Sequence, residues 1–207
     1  YELFDSLYYA YDVLELDLSN SGISGNISQD IGNFTNLVSL NLSQNDITGD
    51  IPAEIGNLAA LEYLNLSQND ITGPIPSEIG NLVNLKELKL YVNSLNGVLP
   101  GSISNLINLE YFNVFNNQIS GRIPSDIGNM EELKKFYIHQ NLFYDTIPSE
   151  LFELSGLIHL YLNDNDLTGE VPTNINNLQN LERLRLKNNN LFGYIHYEIC
   201  DIDLDWD

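Results

Sequence analysis

The sequence predicts an α/β solenoid, a stack of eight copies of one 24-residue unit that each open on a short strand. Three observations predict it. First, the stretch "LNLSQNDITGDIPAEIGNLAA" from Leu40 to Ala60 is nearly repeated as "LNLSQNDITGPIPSEIGNLVN" from Leu64 to Asn84, 24 residues on. Second, stepping by 24 from Val13 lands on Leu37, Leu61, Leu85, Leu109, Leu133, Leu157 and Leu181, with no insertion breaking the register. Third, fixed positions of the unit keep fixed residue types. A period of this size is the mark of a repeat architecture, because a single unit cannot bury its apolar side and a stack can.

Each element of the unit has a physical reason. Apolar residues at positions 4 and 6, as in Leu40 and Leu42 or Phe112 and Val114, alternate with polar ones. That alternation is a strand with one face buried. Position 9 is Asn in seven units, from Asn45 to Asn189, and Ser21 in the first. Its side chain carries donors and an acceptor, so it can satisfy backbone groups where the strand ends and the chain turns inward. Position 13 is Gly everywhere except Asp145 in the sixth unit, which predicts a turn that a Cβ would resist. Position 16 is Pro in the six middle units, from Pro52 to Pro172, stiffening the far side of the coil. Apolar residues at positions 15, 19 and 22, Ile51, Ile55 and Leu58 in the second unit, close the core.

The resulting pattern, L-x-x-L-x-L-x-x-N-x-L-x-G-x-I-P, resembles the plant-type leucine-rich repeat over residues 13 to about 200. The resemblance implies a right-handed superhelix with a parallel β-sheet on its concave side. Eight strands would give that sheet a length of about 34 Å. Similar repeats build receptor-kinase ectodomains, polygalacturonase-inhibiting proteins and secreted leucine-rich repeat proteins of bacteria and algae. Residues 1–12 are expected to form an N-terminal cap over the first core layer through Leu3, Phe4, Leu7 and Tyr8. Residues 13–199 form the solenoid and 200–207 a partial C-terminal cap. Such caps often carry cysteine pairs; here Cys200 is the single cysteine, which suggests a partner beyond the sequence given.

Composition narrows the function. Acidic residues number 29 against 8 basic, a net charge of −21, which argues against a nucleic-acid partner and against adhesion to anionic membranes. No apolar run is long enough to span a bilayer, so no direct membrane insertion is expected. No nucleophile–base arrangement, paired-carboxylate cleft or phosphate loop emerges. The chain is read as non-catalytic and without cofactor or resident metal.

Positions 2, 3, 5, 7 and 8 of each unit face outward around the strand, so bias there carries information. Seven of the eight basic residues fall at positions 2, 3, 5 or 7: Lys86, Lys89, Lys134, Lys135, Arg183, Arg185 and Lys187. Tyr63, Tyr91, Tyr111, Phe115, Tyr137 and Tyr161 form a diagonal aromatic band, flanked by His139 and His159. Tyr and Arg are favoured anchors of protein interfaces, and aromatic rings also stack on sugars. The concave face of units 3 to 8, with Tyr63, Lys89, Tyr91, Tyr111, Phe115, Lys135, Tyr137, His139, His159, Tyr161, Arg183, Arg185 and Lys187, is therefore the candidate ligand face. From the fourth unit onward it is expected to be locally positive, and the face is expected to take a protein, a peptide or an acidic glycan. The competing reading is a structural or adhesion solenoid whose aromatics merely suit strands. An extracellular or cell-surface location follows from the resemblance; oligomeric state stays open.

Weaker signals are four glycosylation acceptors, Asn26, Asn33, Asn41 and Asn65, two of which coincide with the repeat pattern "NLS". The acidic tail "DIDLDWD" lacks the Gly turn and bidentate Glu of a calcium loop. Position 12, with Ser24, Thr48, Thr72 and Thr168, could suggest an ice-binding ladder, but Tyr144 and Phe192 interrupt it.

Overall fold

The computed structural model describes residues 2–3, 6–7, 13–193 and 203–205. Its concave side is one parallel sheet whose strands follow chain order: Glu15–Asp17, Ser39–Asn41, Tyr63–Asn65, Glu87–Lys89, Tyr111–Asn113, Lys135–Tyr137, His159–Tyr161 and Arg183–Arg185, with Asp203–Asp205 on the final edge. The register between neighbouring units is the sequence period: Leu40 lies opposite Leu64, and Tyr111 opposite Lys135. In the eight strands from Glu15–Asp17 to Arg183–Arg185 the central residue points into the core and is buried, while its two neighbours face outward. This is the period-2 alternation of a half-buried strand.

One continuous apolar core runs the length of the stack from Leu16 to Leu186. Positions 1, 4, 6, 11, 15, 19 and 22 supply it, and most of these side chains are fully shielded from solvent. The largest are Phe34, Phe112, Phe136, Phe143 and Phe152; the rings of Phe112 and Phe136 stack at 5.4 Å between neighbouring units.

The asparagines at position 9 tie units together. Asn69 donates from Nδ2 to the carbonyls of Leu42 (3.0 Å) and Leu66 (3.1 Å), and its Oδ1 accepts from the Ile47 amide at 3.1 Å. The same set recurs at Asn45, Asn93, Asn117, Asn141, Asn165 and Asn189. Each therefore satisfies backbone of its own unit and of the unit before it. That accounting matters because an unpaired buried amide or carbonyl costs about 1–3 kcal/mol.

The far side of the coil is a series of single 3₁₀ turns, such as Ala53–Asn57 and Ser77–Asn81, and no α-helix occurs among the described residues. The residue before each turn is the position-16 Pro, extended at φ near −65°, whose carbonyl starts the turn. Ser28 replaces it in the first unit and caps the Asp30 amide with its hydroxyl at 3.1 Å. Glycine at position 20 lets these turns touch: a Cβ on Gly80 would sit 2.4 Å from the Ser102 carbonyl oxygen.

Between strand and turn lies an element where the glycine pattern predicts a turn alone. Positions 10 to 14 pair between units as short parallel strands, in two patches. One joins Ser24–Asn26, Asp46–Asp50 and Asp70–Thr72; the other joins Ser120–Gly121, Leu142–Thr146, Asp166–Glu170 and Asn190–Phe192. The position-13 glycines lie inside this flank with φ between +68° and +95°. Asp145 takes the same conformation at φ 72° and holds Arg122 in an ion pair of 2.7 Å. The expected cap residues Phe4, Tyr8 and Cys200 lie outside the described residues, and so do the side chains of Leu3 and Leu7.

Candidate ligand-binding face

Strand geometry decides which side chains meet on the concave face. Positions 3, 5 and 7 project to the same side, and each column runs along the solenoid at strand spacing, about 4.8 Å per unit. In the position-7 column, Tyr91 stacks on Phe115 with centroids 6.5 Å apart, and Phe115 on His139 at 4.3 Å and 13°. In the position-5 column Tyr137 stacks on Tyr161 at 4.6 Å. Tyr111, at position 3, meets Tyr137 edge to face at 5.5 Å, and His159 lies nearly parallel to Tyr161. The diagonal band read from sequence is thus a contiguous sheet of rings from Tyr91 to Tyr161. Offset-stacked and T-shaped pairs of this kind contribute about 0.5–1.5 kcal/mol each beyond their buried area.

Cations cover the edges of the band. Lys89 sits 4.8 Å above Tyr63 and 5.1 Å from Tyr111; Lys135 lies 5.7 Å from Tyr111; the Arg185 guanidinium is 4.4 Å over Tyr161. Phenol oxygens are held from below. Tyr63 Oη accepts from Asn65 Nδ2 (3.3 Å) and Lys89 Nζ (3.4 Å), and Tyr111 Oη accepts from Asn113 Nδ2 at 3.1 Å. Tyr137 Oη lies 2.6 Å from His159 Nδ1. With His159 neutral, the phenol donates to Nδ1 and the ring's Nε2–H faces Glu182, 3.8 Å away.

Burial sets the protonation states. Burial, then the phenols of Tyr111 and Tyr161, holds Tyr137 well above the ordinary tyrosine value, so it stays a phenol. Burial also raises Tyr111. His139 is pushed down to about 4, first by burial and then by Arg185. Its Nδ1 is enclosed without a hydrogen-bond partner among the described residues, as is Oδ1 of Asn163 one unit on. His159 is lowered by burial, Lys135 and Arg183. For Lys89, burial opposes the charge but the hydrogen bond and charge of Glu87 outweigh it, and the net shift is upward.

The expected positive field is weaker than the count of lysines implied. Lys89 pairs with Glu87, Lys86 with Glu62 and Lys134 with Glu110, each at 2.6 Å. In the Lys86 and Lys134 pairs position 2 of one unit carries the acid and position 2 of the next the base, so they cancel along the rim, whereas Glu87 and Lys89 lie on one strand. Arg183 and Arg185 stand on the strand adjoining Asp203–Asp205, with Arg183 opposite Asp203 and Arg185 opposite Asp205 in the backbone register. The residues brought together tightly are Tyr91, Tyr111, Phe115, Lys135, Tyr137, His139, His159, Tyr161 and Arg185. Tyr63 joins through Lys89, and Lys187 lies at the end of the position-7 column. Sequence reasoning missed the supporting amides of Asn65 and Asn113. Their signal was present: an Asn two residues after a Tyr on the same strand falls beneath its ring.

The other sites are sorted by exposure. Asn26 is exposed and Asn33 half-buried, whereas Asn65 is 7 % exposed with its amide directed to Tyr63. Asn41 is half-buried and accepts from both the amide and the hydroxyl of Ser43. No group of three potential metal ligands occurs among the described residues, nor does any helix there reach the length and apolarity of a membrane span. Thr48, Thr72 and Thr168 are exposed on the flanking strands, broken by exposed Tyr144 and Phe192. Two indentations among the described residues lie away from the rings. One of about 320 Å³ sits among Gly128, Glu131, Glu132, Glu153, Leu154 and Ser155, with a polar and acidic lining.

A family profile described as a leucine-rich repeat region matches residues 6–120, and a second, described as a leucine rich repeat, matches residues 156–178. The chain belongs to the leucine-rich repeat family. Among solved structures, this leucine-rich repeat chain is similar to the ectodomain of the Arabidopsis thaliana membrane receptor kinase GASSHO1/SCHENGEN3, solved with Casparian strip integrity factor 2. Identity is 37 %, the TM-score 0.84, and the match covers 86 % of this chain and 21 % of that one. The Arabidopsis receptor kinase HAESA, solved with the peptide hormone IDA and the co-receptor SERK1, matches at 31 % identity and a TM-score of 0.88, over 93 % of this chain and 34 % of that one. A leucine-rich repeat protein of Leptospira interrogans matches at 30 % and 0.74, over 92 % and 47 %. The chain thus spans less than half the length of each of these relatives. No curated protein matches it in sequence.

Proposed function

We propose that this leucine-rich repeat chain is a non-catalytic recognition module, extracellular or at the cell surface, that binds a protein or peptide on the concave face of units 3 to 8. The observation that carries the reading is the ring sheet itself. Six aromatic side chains and two histidines occupy outward positions that the core does not need, and their hydroxyls and cations are already oriented. A surface fixed before the ligand arrives loses little side-chain entropy on binding, which is worth about 0.5–1.5 kcal/mol per immobilised side chain. The similar receptor ectodomains solved with peptide ligands support the same class of partner. The acid–lysine pairing disfavours a polyanionic glycan, which needs a row of uncompensated cations.

The test is a binding screen of the purified chain against secreted-protein and glycan arrays, beside a Tyr111→Ala variant matched in folding by circular dichroism. The reading expects a protein or peptide hit, weakened about tenfold or more in the variant and little altered between 50 and 300 mM salt. A hit indifferent to Tyr111 moves the site to another surface. Absence of any hit that depends on the rings favours a structural solenoid.

A further inference from the structure

The concave lysines are not equivalent. Lys86, Lys89 and Lys134 each have a carboxylate at 2.6 Å, whereas Lys135 has none within ion-pair distance among the described residues. It is half-buried, and its ammonium faces the Tyr111 ring at 5.7 Å. The next residue in its row is His159, directly opposite in the register. His159 is fixed by the Tyr137 hydroxyl at Nδ1, which leaves its Nε2 edge toward Glu182, at a loose 3.8 Å. Glu182 is largely exposed, with 72 % of its side chain open to solvent, so water screens the pair. A cation without an anion therefore adjoins an imidazole with a donor edge, at the step where Tyr111 meets Tyr137.

We infer that Lys135 and His159 form a single-carboxylate subsite on the ring sheet, one that takes an acidic side chain of a peptide or protein while the neighbouring rings of Tyr111 and Tyr137 receive its apolar surroundings. The inference rests on the recognition reading above and specifies its ligand chemistry. Lys135 contributes a charge-assisted hydrogen bond and His159 a second donor. One uncompensated lysine matches one anion. Burial, Lys135 and Arg183 disfavour protonation of His159, and Glu182 favours it; the rings of Tyr137 and Tyr161 pack against it. A bound carboxylate offsets Lys135 and makes His159 easier to protonate, so binding tightens as pH falls from 7 toward 5.

The experiment is a histidine-resolved NMR titration of the intact chain. The probes are N-acetyl-aspartate α-amide for a side-chain carboxylate, N-acetylglycine for a chain-end carboxylate and galacturonate for a uronic acid, each at matched ionic strength against chloride. The expected result is that N-acetyl-aspartate amide raises the proton affinity of His159 about threefold or more relative to chloride, with His139 unmoved. Lys135→Gln should abolish the response and Lys135→Arg should keep it. A response equal to that in chloride, or one that survives in Lys135→Gln, overturns the subsite. A stronger response to N-acetylglycine or galacturonate overturns the side-chain assignment. If the subsite fails while a Tyr111-dependent array partner stands, recognition holds and only its anion anchor is wrong.

Discussion

Val92 has φ 55°, in the left-handed region, where its equivalents in the other units are Asn, Gln or Asp. A β-branched side chain resists that conformation by about 1–2 kcal/mol, and Asn tolerates it far better. Its backbone amide still bonds the Phe115 carbonyl at 2.8 Å, so the turn is kept in spite of the residue. Val92→Asn is expected to stabilise the chain by about 1 kcal/mol, seen as a higher urea midpoint with an unchanged slope. The histidines give a second prediction at this scale. His139 titrates near 4 in the folded chain and near 6.5 when unfolded. The unfolded state therefore binds the extra proton between those values. Stability from this group is full above about pH 6.5, falls as pH drops through the window, and levels off below about 4. Because the ring keeps some solvent, the loss between pH 7 and 5 is discounted to about 1 kcal/mol. Paired denaturation curves at the two pH values should show His139→Phe losing less stability than the parent. Individual residues of the site were legible in the sequence only as types at outward positions. The Lys89–Glu87 pair and the Tyr137–His159 bond depend on rotamers, which a period does not encode, so the locally positive face expected from lysine counts was too simple.

At the scale of the element, the asparagine staple and the glycine contact do the joining. Asn117 donates to the carbonyls of Leu90 and Val114 and accepts from the Leu95 amide. Asn117→Ala leaves those groups buried and unpaired, and about 3 kcal/mol or more of destabilisation is expected from chemical denaturation. Gly80→Ala drives a Cβ into the Ser102 backbone, where no flexible atom can yield. Separation of the third and fourth 3₁₀ turns is expected to cost about 2 kcal/mol. Element existence was readable because Leu, Asn and Pro each serve one geometric purpose at one position. The flanking strands were not, because sequences such as "DITGD" combine β-branched residues with a Gly that also reads as a turn. Only pairing between units, 22 residues apart at Asp46 and Ser24, turns that segment into a strand.

At the scale of the whole molecule, the period determines the architecture and the charge determines its response to the medium. A net charge of −21 on a chain of 207 residues repels itself, while the three Lys–Glu pairs on the concave side are exposed or half-exposed and contribute little. Screening should relieve more repulsion than it removes attraction. The melting temperature is expected to rise between 20 mM and 0.5 M sodium chloride, and scanning calorimetry at both concentrations checks the sign. The stack was legible as a whole because eight equivalent copies average out local ambiguity. The proposed function was legible only as a candidate face, because partners are chosen by the residues the copies do not share.

The asparagine staple also gives the solenoid a direction in time. Ile47 has its amide closed by Asn69, and Ile71 by Asn93, always a residue 22 positions later. A coil emerging from the ribosome therefore stays unlatched until most of the next coil has followed, about 1–4 s at ordinary synthesis rates. Assembly from the N-terminus leaves one open coil at the growing tip at every moment, and that travelling tip is where a chaperone would find exposed backbone.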